Sequence, residues 1–306
     1  MDSELYKINT KCNCIEASYE LKEGTLHIKN SYSFLTKDSV KIEILEEVIR
    51  TIKISSEKSR KIIDLYKYLV DAERLLNILE GAFITLKEIK ISGDGNKDDY
   101  QIFRDQLMAQ RLKYFLSSKI YSIHTDKLAN YETVMDASVF ESWEHLVDDL
   151  GVINQLYLYA CSDCRLTSDI ICAFLIQISE ALDEYLKYRK LVYKKRRSLK
   201  ECLKLLISNY GTLVFEKENQ FNIDKIIQCM VNTRVNIMHI KYKQKKPCFD
   251  GKECVLYSIK MSYLYRIIIL KLLGIDEKAY LDNLKRKVKN LNSWNEVLNG
   301  LIKRIS

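Results

Sequence analysis

Proline occurs once in this chain, at Pro247, and glycine only nine times in 306 residues. That scarcity constrains the fold more than any other feature. An all-β architecture needs a turn roughly every ten residues, and such turns draw on Gly, Pro and Asn. A chain this poor in breakers is expected to run in long helices. Apolar residues make up 47% of it, enough for a sizeable core, and the length suits two domains.

The helical pattern is nearly continuous from residue 136 onward. Helices are expected over 136–161, 167–190, 199–210, 223–240, 253–273 and 277–302. Together they make an all-α bundle of about six helices. The amino-terminal part reads differently. SSEKSRKIIDLYKYLVDAERLLNILEG (55–81) suits a helix, with Ser55 or Ser56 capping its start, apolar residues at steps of three and four, and Gly81 as its stop. AFITLKEIKI (82–91) suits a strand, SGDGNKDD (92–99) a polar loop, and 101–123 a helix. The KEG signal in YELKEGTLHIKN (19–30) suggests a hairpin, while VKIEILEEVIRTIKI (40–54) fits helix or strand. The expected protein is mainly α: a small mixed α/β domain over 1–130 and an all-α domain over 131–306.

The formal net charge is +8. A polyanionic partner fits that balance, though charge speaks to association rather than to a reaction, and a basic surface without a partner fits it equally. The start, MDSELYKINT, is polar. The longest apolar run, YRIIILKLLGI (265–275), is broken by Lys271 and is too short to span a bilayer. The chain is expected to be soluble, cytoplasmic and without a membrane partner. Nine cysteines, an odd number, are expected as free thiols. KCNC (Cys12, Cys14) and CSDC (Cys161, Cys164) could supply four thiolates, but CxC is a poor zinc knuckle and the pairs fall on different expected domains. Cys248 and Cys254 read as plain thiols. No Gly-rich phosphate loop, HExxH or nucleophile elbow is present, so no metal or cofactor is expected.

One stretch stands out: VNTRVNIMHIKYKQKK (231–246). With Asn222 as cap, Ile223, Ile227, Met230, Arg234 and Ile237 share one helical stripe. Gln228, Asn232, Asn236, His239 and Lys243 share a second, polar one. A guanidinium on an apolar stripe needs a carboxylate partner or a wet seam between helices or subunits. On an ideal helix Arg234 and His239 point about 140° apart. They converge only if the arginine curls round or a second copy supplies half the site. Taken alone, a surface histidine beside a paired arginine explains the motif as well. Lys241, Tyr242, Lys243, Lys245 and Lys246 follow at once, and lysines beside a tyrosine suit phosphate attraction and base stacking in RNA. In KYRKLVYKKRRSLK (187–200), Lys194, Lys195, Arg196 and Arg197 could form a second RNA-backbone contact. For both runs a solvated charged face is the alternative.

Taken in order, the helix bearing Trp143, FLIQISEALDEYLKYRK (174–190), IDKIIQCMVNTRVNIMH (223–239), the basic loop and LYSIKMSYLYRIIILKLLGID (256–276) resemble the HEPN superfamily, and most of all the Apea-like HEPN proteins of bacteria. That family's long helix ends in an ALE-like element, matched by Ala181, Leu182 and Asp183, and its final helix leads into LLGI, here 272–275. The stretch 54–91 resembles, in shortened form, the end of the amino-terminal domain of Apea-like proteins. The HEPN resemblance covers roughly residues 136–280.

The resemblance implies a metal-independent endoribonuclease of antiphage defence, abortive infection or toxin systems. It implies a homodimer formed through the Arg–His helix, with an antitoxin or a phage-derived activator as a further partner. Arg234 would clamp the phosphate and His239 act as general acid or base, with Asn236 as an orienting contact and Asp183 holding Arg234. These residue types suit the chemistry. Attack by a 2′-hydroxyl needs a base near neutral pH and positive charge on the phosphate. The family often carries a polar residue directly after the arginine, whereas this chain has Val235 there and Asn236 one later. That departure weighs toward a second reading, a catalytically silent module that binds RNA or a partner protein.

Overall fold

The computed structural model describes residues 10–20, 30–46, 49–81, 85–115, 127–162, 166–189, 197–239, 246–291 and 294–305. The chain divides into two compact units, Met1–Tyr121 with Asn130–Asp148, and Ser122–Ala129 with Asp149–Ser306.

The first unit is built on an antiparallel sheet of β1 (Lys11–Glu20), β2 (Asn30–Leu35), β3 (Val40–Glu46), β4 (Ile49–Lys61) and β5 (Thr85–Ser92), in the order β2-β3-β4-β1-β5. Alternation writes it. Val40, Ile42, Ile44 and Glu46 are buried while Lys41 and Leu45, at alternate positions, are exposed. Ile52 and Ile54 of β4 and Ile15 and Ala17 of β1 carry the apolar face across. Helix α1 (Ile62–Glu80) adds Leu65, Leu69, Ala72, Leu76 and Leu79 to this core. It ends at Gly81, left-handed at φ 66°, whose N–H donates to the Asn77 carbonyl at 2.8 Å. The remaining elements are α2 (Lys97–Phe115), α3 (Tyr131–Val134) and α4 (Ala137–Leu150).

Two expectations are settled here, and a third lies outside the described residues. SSEKSRK belongs to β4, not to the start of the helix: Ser56 pairs with Val40 on one side and Arg60 with Cys12 on the other. Pairing on both flanks outweighs the local capping signal. The hairpin suggested over 19–30 falls on 21–29, outside the described residues; β1 and β2, which flank that stretch, are not neighbours in the sheet. The ambiguous stretch 40–54 is strand throughout its described residues.

Phe140 and Trp143 of α4 are fully buried. Trp143 donates from its indole N–H to the Asp71 carbonyl at 2.8 Å, and Phe140 lies 5.6 Å from Phe34. These anchors put 130–148 in the first unit, although the sequence suggested a boundary near 130. The helix expected over 136–161 is interrupted at Gly151, φ 44°, giving α4 and α5 (Val152–Ser162).

The second unit is helical: α5, α6 (Ser168–Tyr188), α7 (Leu199–Tyr210), α8 (Glu216–Phe221), α9 (Ile223–Met238), α10 (Gly251–Leu272), α11 (Leu281–Leu291) and α12 (Asn295–Ile305). Capping boxes open α7 (Ser198 with Glu201) and α10 (Asp250 with Glu253). The single helix expected over 277–302 is a short 3₁₀ turn followed by α11 and α12. Helix α10 is buried almost all round, and α6 packs against α5, α7, α9 and α10. Full burial leaves Lys260 inside. Its ammonium donates to both Glu218 oxygens, at 2.6 and 2.8 Å, and to the Val214 carbonyl at 3.0 Å. Among the described residues no helix is long and apolar enough to cross a membrane.

Candidate functional site

Helix α9 sets the site. Asn222 caps it by accepting from the Lys225 N–H at 3.2 Å. Ile226, Ile227, Cys229 and Met230 then bury its inner face. Arg234 lies one turn beyond Met230 and is half-buried. Its Nε donates to Oε1 of Gln177 on α6, and Gln177 Nε2 donates in turn to Glu180 Oε2 at 3.1 Å. Among the described residues the terminal nitrogens of Arg234 have no partner. His239 closes α9 as its exposed C-cap, its backbone N–H donating to the Val235 carbonyl at 3.2 Å. Its imidazole has no partner among the described residues.

The polar stripe is partly buried. Asn232 accepts from Gln228 at 3.1 Å and donates to the Pro247 carbonyl at 2.7 Å. The Thr233 hydroxyl donates to the Cys229 carbonyl at 2.8 Å and accepts the Phe249 N–H at 2.9 Å. These side chains hold the chain where it returns toward α10, and Phe249 stacks on Tyr257 with ring centres 4.2 Å apart. From α12, Arg304 reaches the same place. It donates to the Cys248 carbonyl at 2.8 Å and binds the Glu253 carboxylate.

Asn236 is half-buried beside Cys248. Burial raises the Cys248 thiol above its usual pKa, while Asn236 and Arg304 pull it back. Asp183 does not hold Arg234. It is buried against Arg197, 3.4 Å from its Nη1, and accepts from the Cys202 thiol at 3.4 Å. The reason is helical phase: six residues separate Gln177 from Asp183, which turns them about 120° apart on α6. Burial, reinforced by Asp183, pushes the Cys202 thiol up to about 12 and keeps it a proton donor. Arg197, expected as an RNA-backbone contact, is thus tied to Asp183 with its side chain only 18% exposed. Lys246 is exposed. Lys241, Tyr242, Lys243, Lys245, Lys194, Lys195 and Arg196 lie outside the described residues, as does Cys164. Among the described residues no cluster of His, Cys, Asp and Glu could hold a metal ion.

Sequence reasoning missed Gln177 and Glu180. One signal was available: Gln177 is the lone polar residue in the run AFLIQI (173–178), and a lone amide among aliphatics demands a partner.

Residues 153–279 match the model of the Apea-like HEPN family. No curated protein and no solved structure matches the chain. The match runs from the first turn of α5 to the 3₁₀ turn after α10 and includes the whole Arg234–His239 helix. The chain therefore carries an Apea-like HEPN domain in its carboxy-terminal unit.

Proposed function

We propose that this protein is a metal-independent endoribonuclease of bacterial antiphage defence, abortive infection or toxin systems. One observation carries the reading: within the matched family segment, α9 presents a half-buried arginine and, at its end, an exposed histidine free of any partner among the described residues. His239 takes the proton of the ribose 2′-hydroxyl. The 2′-oxygen attacks phosphorus and the bond to the 5′-oxygen breaks. That oxygen picks up a proton, from a second histidine or from water. The products are a 2′,3′-cyclic phosphate and a 5′-hydroxyl. Arg234 stabilises the charge that builds on the phosphate oxygens. No metal is needed, because the nucleophile is the substrate's own hydroxyl. A second copy of α9 across a twofold axis would supply the other half of the site, which the angular separation of the two residues favours. The lysines of 241–246 would hold the RNA backbone.

A catalytically silent RNA-binding module is the second reading. Val235 after the arginine and Asn236 beside Cys248 favour it, since neither offers the polar contact the family often has next to its arginine.

The test is cleavage of RNA by purified protein in chelator, with the ends analysed. Wild type is expected to leave 2′,3′-cyclic phosphates. Arg234→Ala and His239→Ala are each expected to lose roughly 100- to 10,000-fold in rate. RNA that is bound but never cut would establish the second reading. Cleavage at full rate by His239→Ala would remove the first.

A further inference from the structure

An arginine on an inward-facing helical stripe is ordinarily neutralised by a carboxylate. Arg234 is not. Helix α6 carries three acidic residues close by in sequence, Glu180, Asp183 and Glu184, yet none bonds to it. Asp183 is taken by Arg197 and Cys202, and Glu180 reaches Arg234 only through the Gln177 amide.

We propose that Gln177 is a positioning residue of the Arg–His site. It fixes the guanidinium through Nε with a neutral acceptor, so the positive charge stays uncancelled and both terminal nitrogens are left for two oxygens of one phosphodiester. Glu180 sets the polarity of the contact. By accepting from Nε2 it fixes the Gln177 oxygen as the end facing Arg234. With the amide turned over, an NH₂ group would meet an N–H, and the hold would be lost. The geometry suits phosphate because the end-on pair of guanidinium nitrogens forms a bidentate fork. The inference rests on the ribonuclease reading above, and it adds what makes the arginine available.

Four variants decide it, each assayed for RNA affinity against salt, single-turnover cleavage and thermal unfolding. Gln177→Glu keeps the hydrogen bond and the fold but cancels the charge. Its RNA affinity is expected to fall about tenfold at low salt, with a salt slope flatter by about one ion. Gln177→Ala keeps the charge but frees the side chain, and its cleavage rate is expected to fall about tenfold with affinity little changed. Glu180→Gln, which can still accept from the amide, is expected to restore near wild-type behaviour where Glu180→Ala does not. A merely structural role would lower the unfolding temperature in all four and leave the salt slope alone, which overturns the proposal. In an Arg234→Lys background, Gln177→Glu is expected to add little. If Arg234→Ala and His239→Ala lose cleavage while both Gln177 variants act as wild type, this inference falls and the ribonuclease reading stands. If Arg234→Ala itself binds and cuts RNA normally, both fall.

Discussion

Arg50 and Arg234 are both drawn into protein surroundings, and they are held in opposite ways. Arg50, in β4 of the first unit, is 4% exposed. It donates from Nη1 to Glu80 at 2.6 Å and from Nη2 to Glu46, and lies 5.7 Å over the Tyr131 ring. Burial works against its charge, but Glu80 and Glu46 more than offset that and raise its pKa. Arg234, in α9 of the second unit, has one neutral acceptor among the described residues. The first arginine is consumed by the fold. The second is fastened at one nitrogen and keeps its charge. The difference separates a cation that the fold neutralises from one that the described residues leave uncancelled, and the carboxylates touching each tell them apart.

The largest test of that contrast is Arg50→Ala, which strands two buried carboxylates. Stability of the first unit should drop by roughly 3–5 kcal/mol. Denaturant unfolding followed by Trp143 fluorescence in a Trp294→Phe background measures it, since Trp143 sits in that unit's core. A change below 1 kcal/mol would mean the triad is not the anchor its geometry suggests.

The same unit also holds carboxylates in which burial outweighs the nearby cations; the Arg74 guanidinium stands 3.8 Å from Asp71. Burial raises Asp71 to about 6, with Arg74 and Lys67 pulling it back, and burial together with Asp71 raises Glu144 to about 7. In the unfolded chain such groups titrate near 3.9 and 4.3. The folded unit therefore keeps protons that the unfolded chain has already lost, so stability declines as pH rises from about 4 to about 7 and is level above that. Replacing Asp71 with Asn and Glu144 with Gln should remove about 1–2 kcal/mol of that decline. Calorimetry at pH 5 and pH 8 reads it, and a wild-type slope that survives the double replacement excludes these two groups.

Arg234→Met is expected to change stability by less than about 1 kcal/mol while disabling RNA cleavage. A loss as large as that of Arg50→Ala would put Arg234 among the structural arginines. Smallest of all is the exposed pair Lys204–Asp224 in the second unit, 2.9 Å apart with both side chains at least half exposed. Lys204→Ala should cost no more than about 0.5 kcal/mol, and melting curves that overlay those of the wild type are the expected result.

Much of the second unit could be read directly. Leu199–Tyr210 matches the expected helix to the residue, and α9 begins where Asn222 was expected to cap it. These elements are written by local signals: caps, apolar steps of three and four, and breakers. The sheet was harder, because the partners of Ser56 and Arg60 lie 16 and 48 residues away and no local rule names them. At the site, helical phase correctly drew Arg234 inward. It could not show which residue of α6 would meet it, since that depends on how α6 is rotated against α9. The family resemblance pointed to Asp183, which bonds to Arg197 and Cys202 instead. Nor could helical phase show that Asn232, on the polar stripe, is buried because its amide serves the backbone at Pro247.

Those backbone bonds have a consequence for how this protein can change. Residues 240–245 leave from His239, the end of a packed helix, and rejoin the described chain at Lys246. Just beyond, Pro247, Cys248 and Phe249 are tied down by Asn232, Arg304 and Thr233. The return of the chain to α10 thus depends on three side chains that are distant from it in sequence or belong to other helices. A replacement at Asn232, Thr233 or Arg304 would therefore be felt at residues 247–249, so the entry to the most buried helix of the bundle can change only in step with α9 and α12.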